Sequence, residues 1–316
     1  MSLHFAGLHH ITAIVDEPQD NVNFYAGVLG LRLIKRTVNF DDPNTYHLYF
    51  GDEVGSPGSI VTFFPWPGAP HGTRGAGQVS AFALAIPEAS VAYWEQRLTD
   101  SGITFGGPEQ RFNERVLSFY DPAGLLVELV THPDATNMHG WTGAEVPAAY
   151  AIRGLHVVTL TVQQADASVR VLTEAMGFRY LATEGDRARY VTAEGGVGAI
   201  VDVIARPDLP FGRVAVGSVH HIAWRTPNDD EQARWRRHLI QHGMMVTEVR
   251  DRQYFHSIYY REPGGVLYEI ATDNPGFAFD EPVETLGTTL KLPPWLEPRR
   301  ESLERTLLPL DVPNQS

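Results

Sequence analysis

Two histidine doublets and one late carboxylate carry the chemical signal in this chain. His9-His10 opens the run LHHITAIV, His220-His221 lies in VHHIAWRT, and Glu269 lies in VLYEIA. All three runs have the apolar, β-branched composition of strands that face a core. Carboxylates are seldom fully buried unless they are paired or bound to metal. Glu269, placed inside such a strand, therefore requires partners. Cysteine is absent, which excludes disulfides, thiolate nucleophiles and Cys-based metal sites. Any metal site has to be built from histidine and carboxylate.

The elements that position these residues recur four times. Gly30, Gly102, Gly177 and Gly243 each follow a helix-like segment and precede an apolar run, as expected of glycine just past a helix end. Amphipathic helices are predicted over roughly 18–29, 88–101, 164–176 and 228–242. A strand precedes each helix, starting at Leu8, Val79, Leu155 and Val219, and about three strands follow each glycine. The fold class predicted is α+β: four βαβββ modules arranged as two domains with sheet-lined half-barrels. The Gly/Pro-rich segment 132–150 divides the chain. The expected boundaries are 1–140 for modules one and two, 150–274 for modules three and four, and a Pro-rich tail over 275–316. A short helix, Glu297–Leu307, is expected to pack the tail across a domain face.

Registering the modules exposes two ligand-type positions in each. Aligned first strands place His10 and His221 together, with Ala81 and Val157 in the other modules. Four residues past the turn glycine, Glu269 aligns with Glu128, Asp202 and Thr62. Only pairing module one with module four unites both histidines, giving His10, His221 and Glu269 with Thr62 at the fourth corner. Two neutral imidazoles and one carboxylate, with open coordination positions, form the facial triad that suits Fe(II) oxygenase chemistry. Mn(II) fits the same ligands. The competing pairing, three with four, would give His221, Glu269 and Asp202 and leave His10 unused. Pairing two with three leaves Glu128 and Asp202 without a histidine, a degenerate cavity expected to hold no metal.

Strand neighbours point to opposite faces, so one histidine of each doublet faces the metal. His156 aligns with His9 and His220, and its module lacks the second histidine. That pattern assigns the first position to structure and the second to ligation. His47, in TYHLYF, reads as strand packing, and His71, His132 and His139 as exposed loop residues. The glycine-rich run 72–77 precedes a strand instead of opening a helix, so it fails the context for phosphate binding.

Composition limits the rest. Hydrophobic content of 43% and charged content of 20% over 316 residues suit a globular protein of two domains. A formal net charge of −13 argues against a nucleic-acid partner. No apolar stretch approaches membrane-spanning length, and the N-terminus lacks the charged start of a signal peptide. A cytoplasmic protein is expected, and nothing in the sequence opposes a homo-oligomer.

The four modules with HHI, HHI and a late Glu resemble the vicinal oxygen chelate superfamily of glyoxalase, bleomycin-resistance and extradiol dioxygenase proteins. The stretch Ile258–Gly265 followed by Glu269 resembles the C-terminal signature of extradiol ring-cleaving dioxygenases. LHHIT, KRTVNFDDPNTYHLYFGDEVGSPGSIVTFFP, HHIAW and LGTTLKLPPWLEPRR are closer still to the hydroquinone-type enzymes, over nearly the whole chain. The resemblance implies that His10, His221 and Glu269 hold Fe(II), and that Arg252 and Tyr259 face substrate. Arg252 stands where the catechol enzymes carry an acid/base histidine. A hydroquinone's hydroxyls are para, so only one reaches the metal, and a different set of surrounding groups is expected.

On this reading the partners are a small aromatic substrate and O₂. Tyr259 hydrogen-bonds the substrate oxygen or moves a proton, and Arg252 stabilises developing oxyanion charge. The bland alternatives are strand packing for Tyr259 and a surface ion pair with Asp251 or Glu248 for Arg252. His256 reads equally as a neighbour of the site or as surface. Two other functions compete: a glyoxalase-type metal-dependent lyase or isomerase, which typically uses four protein ligands, and a non-catalytic aromatic-binding protein.

Overall fold

A computed structural model describes residues 3–143 and 145–312. The first module holds β1 (Leu8–Val15), α1 (Pro18–Val22), β2 (Arg32–Val38), β3 (Tyr46–Gly51) and β4 (Ile60–Pro65). The second holds β5 (Gln78–Ile86), α2 (Val91–Asp100), β6 (Phe105–Arg111), β7 (Glu114–Tyr120) and β8 (Leu126–Thr131). The third holds β9 (Leu155–Val162), α3 (Ala165–Arg170), β10 (Arg179–Glu184), β11 (Arg187–Val191) and β12 (Ile200–Ala205). The fourth holds β13 (Ser218–Thr226), α4 (Asp229–Gln241), β14 (Arg250–Asp251), β15 (Phe255–Arg261) and β16 (Leu267–Pro275). The four glycines that mark the repeat have φ between 68° and 82°, the left-handed conformation that ends a helix without a Cβ clash.

The modules pair crosswise. One sheet runs β14-β15-β16-β13-β1-β4-β3-β2, the other β10-β11-β12-β9-β5-β8-β7-β6. Modules one and four share the first sheet, and modules two and three the second. Each sheet curls into a half-barrel, in an α+β architecture. The central strands β1 and β9 are buried along their whole length, which is why they read as unbroken apolar runs. The sheets join at two equivalent points. Leu8 N–H donates to Gly198 O and Leu155 N–H to Gly58 O, both at 2.8 Å. A Cβ on Gly7 (φ 131°) would lie 2.7 Å from Gly198 O, and one on Gly154 (φ 121°) 2.8 Å from Gly58 O. Only glycine permits that approach.

The fourth module keeps three strands after its helix, but the first of them is cut short. Residues 244–249 form no strand, and β14 is two residues long. Thr247 N–H donates to Tyr259 O, but Tyr259 N–H donates to the Thr247 side-chain oxygen at 3.0 Å. A side chain has taken a place in the ladder, so regular pairing stops there. The neighbouring Met245 is 93% exposed.

The tail runs across β2 and β3. Lys35 is fully buried, its Nζ 2.8 Å from both Asp280 Oδ1 and Glu281 Oε2. Arg32 donates to Val283 O, Arg36 to Thr288 O and Tyr46 to Leu308 O. The helix predicted over Glu297–Leu307 is a 3₁₀ turn, Glu297–Arg299, leading into α5 (Arg300–Thr306). Among the described residues, no helix is long and apolar enough to cross a membrane.

Candidate metal centre

Two adjoining rungs of the first sheet build the site. One rung crosses Tyr259 on β15, Glu269 on β16, Ala223 on β13 and His10 on β1. The next crosses His221 on β13, Thr12 on β1, Thr62 on β4 and Tyr49 on β3. Members of each strand's pair are two residues apart and share the concave face. Ala223, between Glu269 and His10, presents only a methyl group, which leaves the space where three ligand atoms converge.

His221 Nε2 lies 2.8 Å from Glu269 Oε2, His10 Nε2 lies 3.4 Å from it, and the two Nε2 atoms are 3.3 Å apart. All three residues are buried. A first-row metal about 2.1 Å from each atom at right angles would space them about 3.0 Å apart. The observed triangle is close to that. Glu269 Oε1 accepts a hydrogen bond from Ser257, whereas Oε2 has no donor and is fully buried. Burial pushes the Glu269 carboxyl up, but the facing His10 and His221 rings outweigh it and hold it well below the usual range. Burial holds His221 below its ordinary value, partly opposed by Glu269.

The doublets explain how the imidazoles are held. His9 Nε2 lies 3.1 Å from Thr272 O. A carbonyl only accepts, so His9 carries its proton on Nε2 and accepts at Nδ1. His10 Nδ1, 2.9 Å away, is then the donor, and His10 Nε2 is left as a lone pair aimed at the triangle. His220 Nδ1 meets His221 Nδ1 at 2.7 Å, so His221 too is held through its Nδ1. Burial, aided by His221, pushes His220 down to about 3, so it stays neutral. The first histidine of each pair therefore orients the second, the arrangement a metal-binding imidazole requires. Three ligand-type atoms converging on one point suit a cation.

The triangle forms the floor of a cavity of about 380 Å³. Phe40, Phe64, Trp66 and Leu267 supply apolar walls, and Arg252 and Tyr259 stand on the β15 side. Arg252 Nε–H donates to the Tyr259 hydroxyl at 3.1 Å. Burial and Glu269 push the Tyr259 phenol up, against the opposing pull of Arg252, so it keeps its proton. Burial disfavours charge on Arg252, but Tyr259 and Asp41 outweigh that and keep it charged. Its carboxylate partner is Asp41, at 3.0 Å, and not the Asp251 or Glu248 of the bland alternative. His256 sits apart, its Nδ1 2.7 Å from Asp229. His47 does more than pack: it lines the cavity, bonded to Thr62 and to Tyr49. The sequence signal that could have found it is its period-2 spacing from Tyr49 on the same strand face.

The second concave face holds charge of the opposite kind. Arg189 clamps Asp202 through Nε (2.8 Å) and Nη2 (3.0 Å), and reaches Glu114 through Nη1 (2.6 Å). His156 Nε2 lies 2.6 Å from the other Glu114 oxygen. Arg111 Nη1 donates to both Glu128 oxygens, at 2.8 and 2.9 Å. The two carboxylates that register with Glu269 are thus each neutralised by guanidinium.

The fold and the converging triad define a class. The chain belongs to the Glyoxalase/Bleomycin resistance protein/Dioxygenase superfamily, whose family signature matches residues 7–129 and 154–270. It is 48% identical, over 97% of both chains, to a Bacillus subtilis protein provisionally named ring-cleaving dioxygenase MhqO. It is 35% identical, over 95% of both, to the chlorohydroquinone/hydroquinone 1,2-dioxygenase of Sphingobium indicum. The crystal structure of a provisionally named dioxygenase from Bacillus subtilis matches with a TM-score of 0.94 at 47% identity, covering 98% of this chain and 99% of that one.

Proposed function

We propose that this protein is an Fe(II)-dependent dioxygenase that opens the ring of hydroquinone-type substrates, with the metal on His10, His221 and Glu269. One observation carries the reading. Three buried ligand-type atoms converge at the floor of an aromatic-walled cavity with an unpartnered carboxylate oxygen among them. The named activity of the Sphingobium relative supports the substrate class. Mn(II) suits the same donors.

Bound there, Fe(II) supplies Lewis acidity towards a phenol oxygen and one-electron chemistry towards O₂. The chain supplies the rest. Phe64, Trp66 and Phe40 hold the ring and exclude water. Arg252, charged and tied to Asp41, presents positive charge where oxyanion character grows. Tyr259 carries a proton at its hydroxyl, kept there by burial, and donates it within the cavity. Ser257 holds one oxygen of Glu269, so the other stays aimed at the metal.

The deciding measurement is oxygen uptake by protein loaded anaerobically with Fe(II). Methylhydroquinone should be consumed with one O₂ per ring and catechol much more slowly. Absence of uptake with either substrate, at full metal occupancy, would overturn the reading.

A further inference from the structure

The C-terminal tail grips one loop of the cavity from outside. That loop, residues 39–45, joins β2 to β3, and its Asn39, Phe40 and Asp41 line the cavity. Both of its stems are tied to the tail. Lys291 N–H donates to Arg36 O at 2.9 Å, and Arg36 Nη2 donates to Thr288 O at 3.0 Å. Tyr46, at the start of β3, donates its hydroxyl proton to Leu308 O at 2.9 Å. Within the loop, the Phe40 ring meets Trp295 at 77°, with centroids 5.7 Å apart.

The loop's own bonds give it shape. Asn39 N–H donates to Thr45 O at 2.9 Å and Asp42 N–H to Asn39 O at 3.2 Å. Thr45 Oγ1 donates to Pro65 O and fixes the β3 end. The Phe40 end is placed from outside: it leans on Trp295 and, through Asp41, reaches Arg252 at 3.0 Å. Trp295 is aimed in turn by its neighbours. Leu292 and Leu296 are buried, and Leu296 N–H donates to Pro293 O at 2.9 Å, which turns the chain between them. Trp295 is left 49% exposed. A tail that served only to cover the β2 edge would need the Lys291–Arg36 bond and would gain little from a half-exposed indole beyond it.

We propose that the tail is part of the substrate site, with Trp295 as a positioning residue that acts through Phe40 and Asp41. Phe40 is apolar wall and Asp41 holds the Arg252 guanidinium, so one indole sets both through one loop. That the cavity takes a phenolic ring rests on the ring-cleaving reading above; the loop's dependence on the tail does not.

Two readouts on Zn(II)-loaded protein test this without turnover. Hydrogen exchange followed by mass spectrometry reads the loop. In Trp295→Ala, peptides spanning 39–45 should exchange about three- to tenfold faster, the scale of one lost aromatic pair, and peptides from the second sheet should be unchanged. Titration with 4-nitrophenol, followed by its absorbance, reads the cavity. Its Kd should rise about three- to tenfold in Trp295→Ala at equal metal content, and stay within about twofold of the parent in Trp295→Phe.

A merely structural indole would lower the unfolding midpoint of Trp295→Ala and leave the nitrophenol Kd at the parent value; that result overturns the proposal. So does unchanged exchange over 39–45. Should Trp295→Ala fail to fold, Tyr46→Phe releases the other stem from Leu308 and faces the same two readouts. A parent that binds no nitrophenol would count against the ring-cleaving reading, while loop exchange still decides the part played by the tail.

Discussion

The two half-barrels share one strand order and differ in how they treat a buried carboxylate. In the first, Glu269 faces the imidazoles of His10 and His221, each held through its Nδ1 by the histidine that precedes it. In the second, Asp202 faces Arg189 and Arg187, and Glu128 faces Arg111. The same place in the sheet holds negative charge in both. A guanidinium supplies its own compensating charge and fills the space. Neutral imidazoles supply no such charge, and on the function proposed above a bound metal ion supplies it. On that reading the two faces differ mainly in where the positive charge comes from.

The sharpest way to break this comparison is His221→Ala. Metal affinity should fall by more than the roughly 10- to 100-fold expected for losing an outer partner, and oxygen uptake with hydroquinone should vanish. Metal content by mass spectrometry checks the first, an oxygen electrode the second. In the other half-barrel, Arg189→Ala should leave metal binding intact but destabilise the fold by about 3 kcal/mol, because Asp202 keeps only Arg187 and Glu114 only His156 as partners. Urea unfolding of the metal-loaded protein measures it. Replacing Arg189 together with Asp202 by apolar residues should recover much of that loss.

Acid sharpens the contrast further. Burial pushes the Glu114 carboxyl up, but His156 and Arg189 overcome this and lower it to about 2. A depressed carboxyl stabilises the fold above its ordinary range and loses that contribution as pH falls from about 4.5 to about 2. At 1.36 kcal/mol per pH unit, the effect is roughly 3 kcal/mol at most. Glu114→Gln should flatten the acid limb of the stability curve by that order. The smallest effect is expected for His9→Phe. It preserves the ring but frees the His10 tautomer, so metal affinity should drop about 10- to 100-fold with little change in unfolding. Equilibrium dialysis against metal buffers reads it.

Much of this was legible in the sequence, for a physical reason. Repeat register converts a spacing into a shared rung, so His10, His221 and Glu269 could be brought together on paper. The pairing of module one with module four followed from the histidines alone. What stayed hidden depended on side-chain geometry. The bond from Arg252 to Asp41 spans distant loops, and the contact of Phe40 with Trp295 joins a loop of the first module to the tail. The arginine core did leave a trace. Arg187 and Arg189 alternate on one strand and so share the face of Asp202, a cationic pattern at odds with an open cavity. The shortening of the first strand after α4 depends on one threonine hydroxyl entering the ladder, which apolar periodicity does not register.

The crosswise pairing of modules also sets an order in time. The second sheet is complete within residues 78–205, whereas the first needs β1 and β13, which start 210 residues apart, at Leu8 and Ser218. At ribosomal rates of about 5–20 residues per second, β1 waits on the order of 10–40 s for its partner. The inner half-barrel can close during synthesis, while the outer one stays an open edge until β13 emerges. The last side chain of the proposed metal centre, Glu269, arrives later still, so that centre forms only after the second sheet is complete.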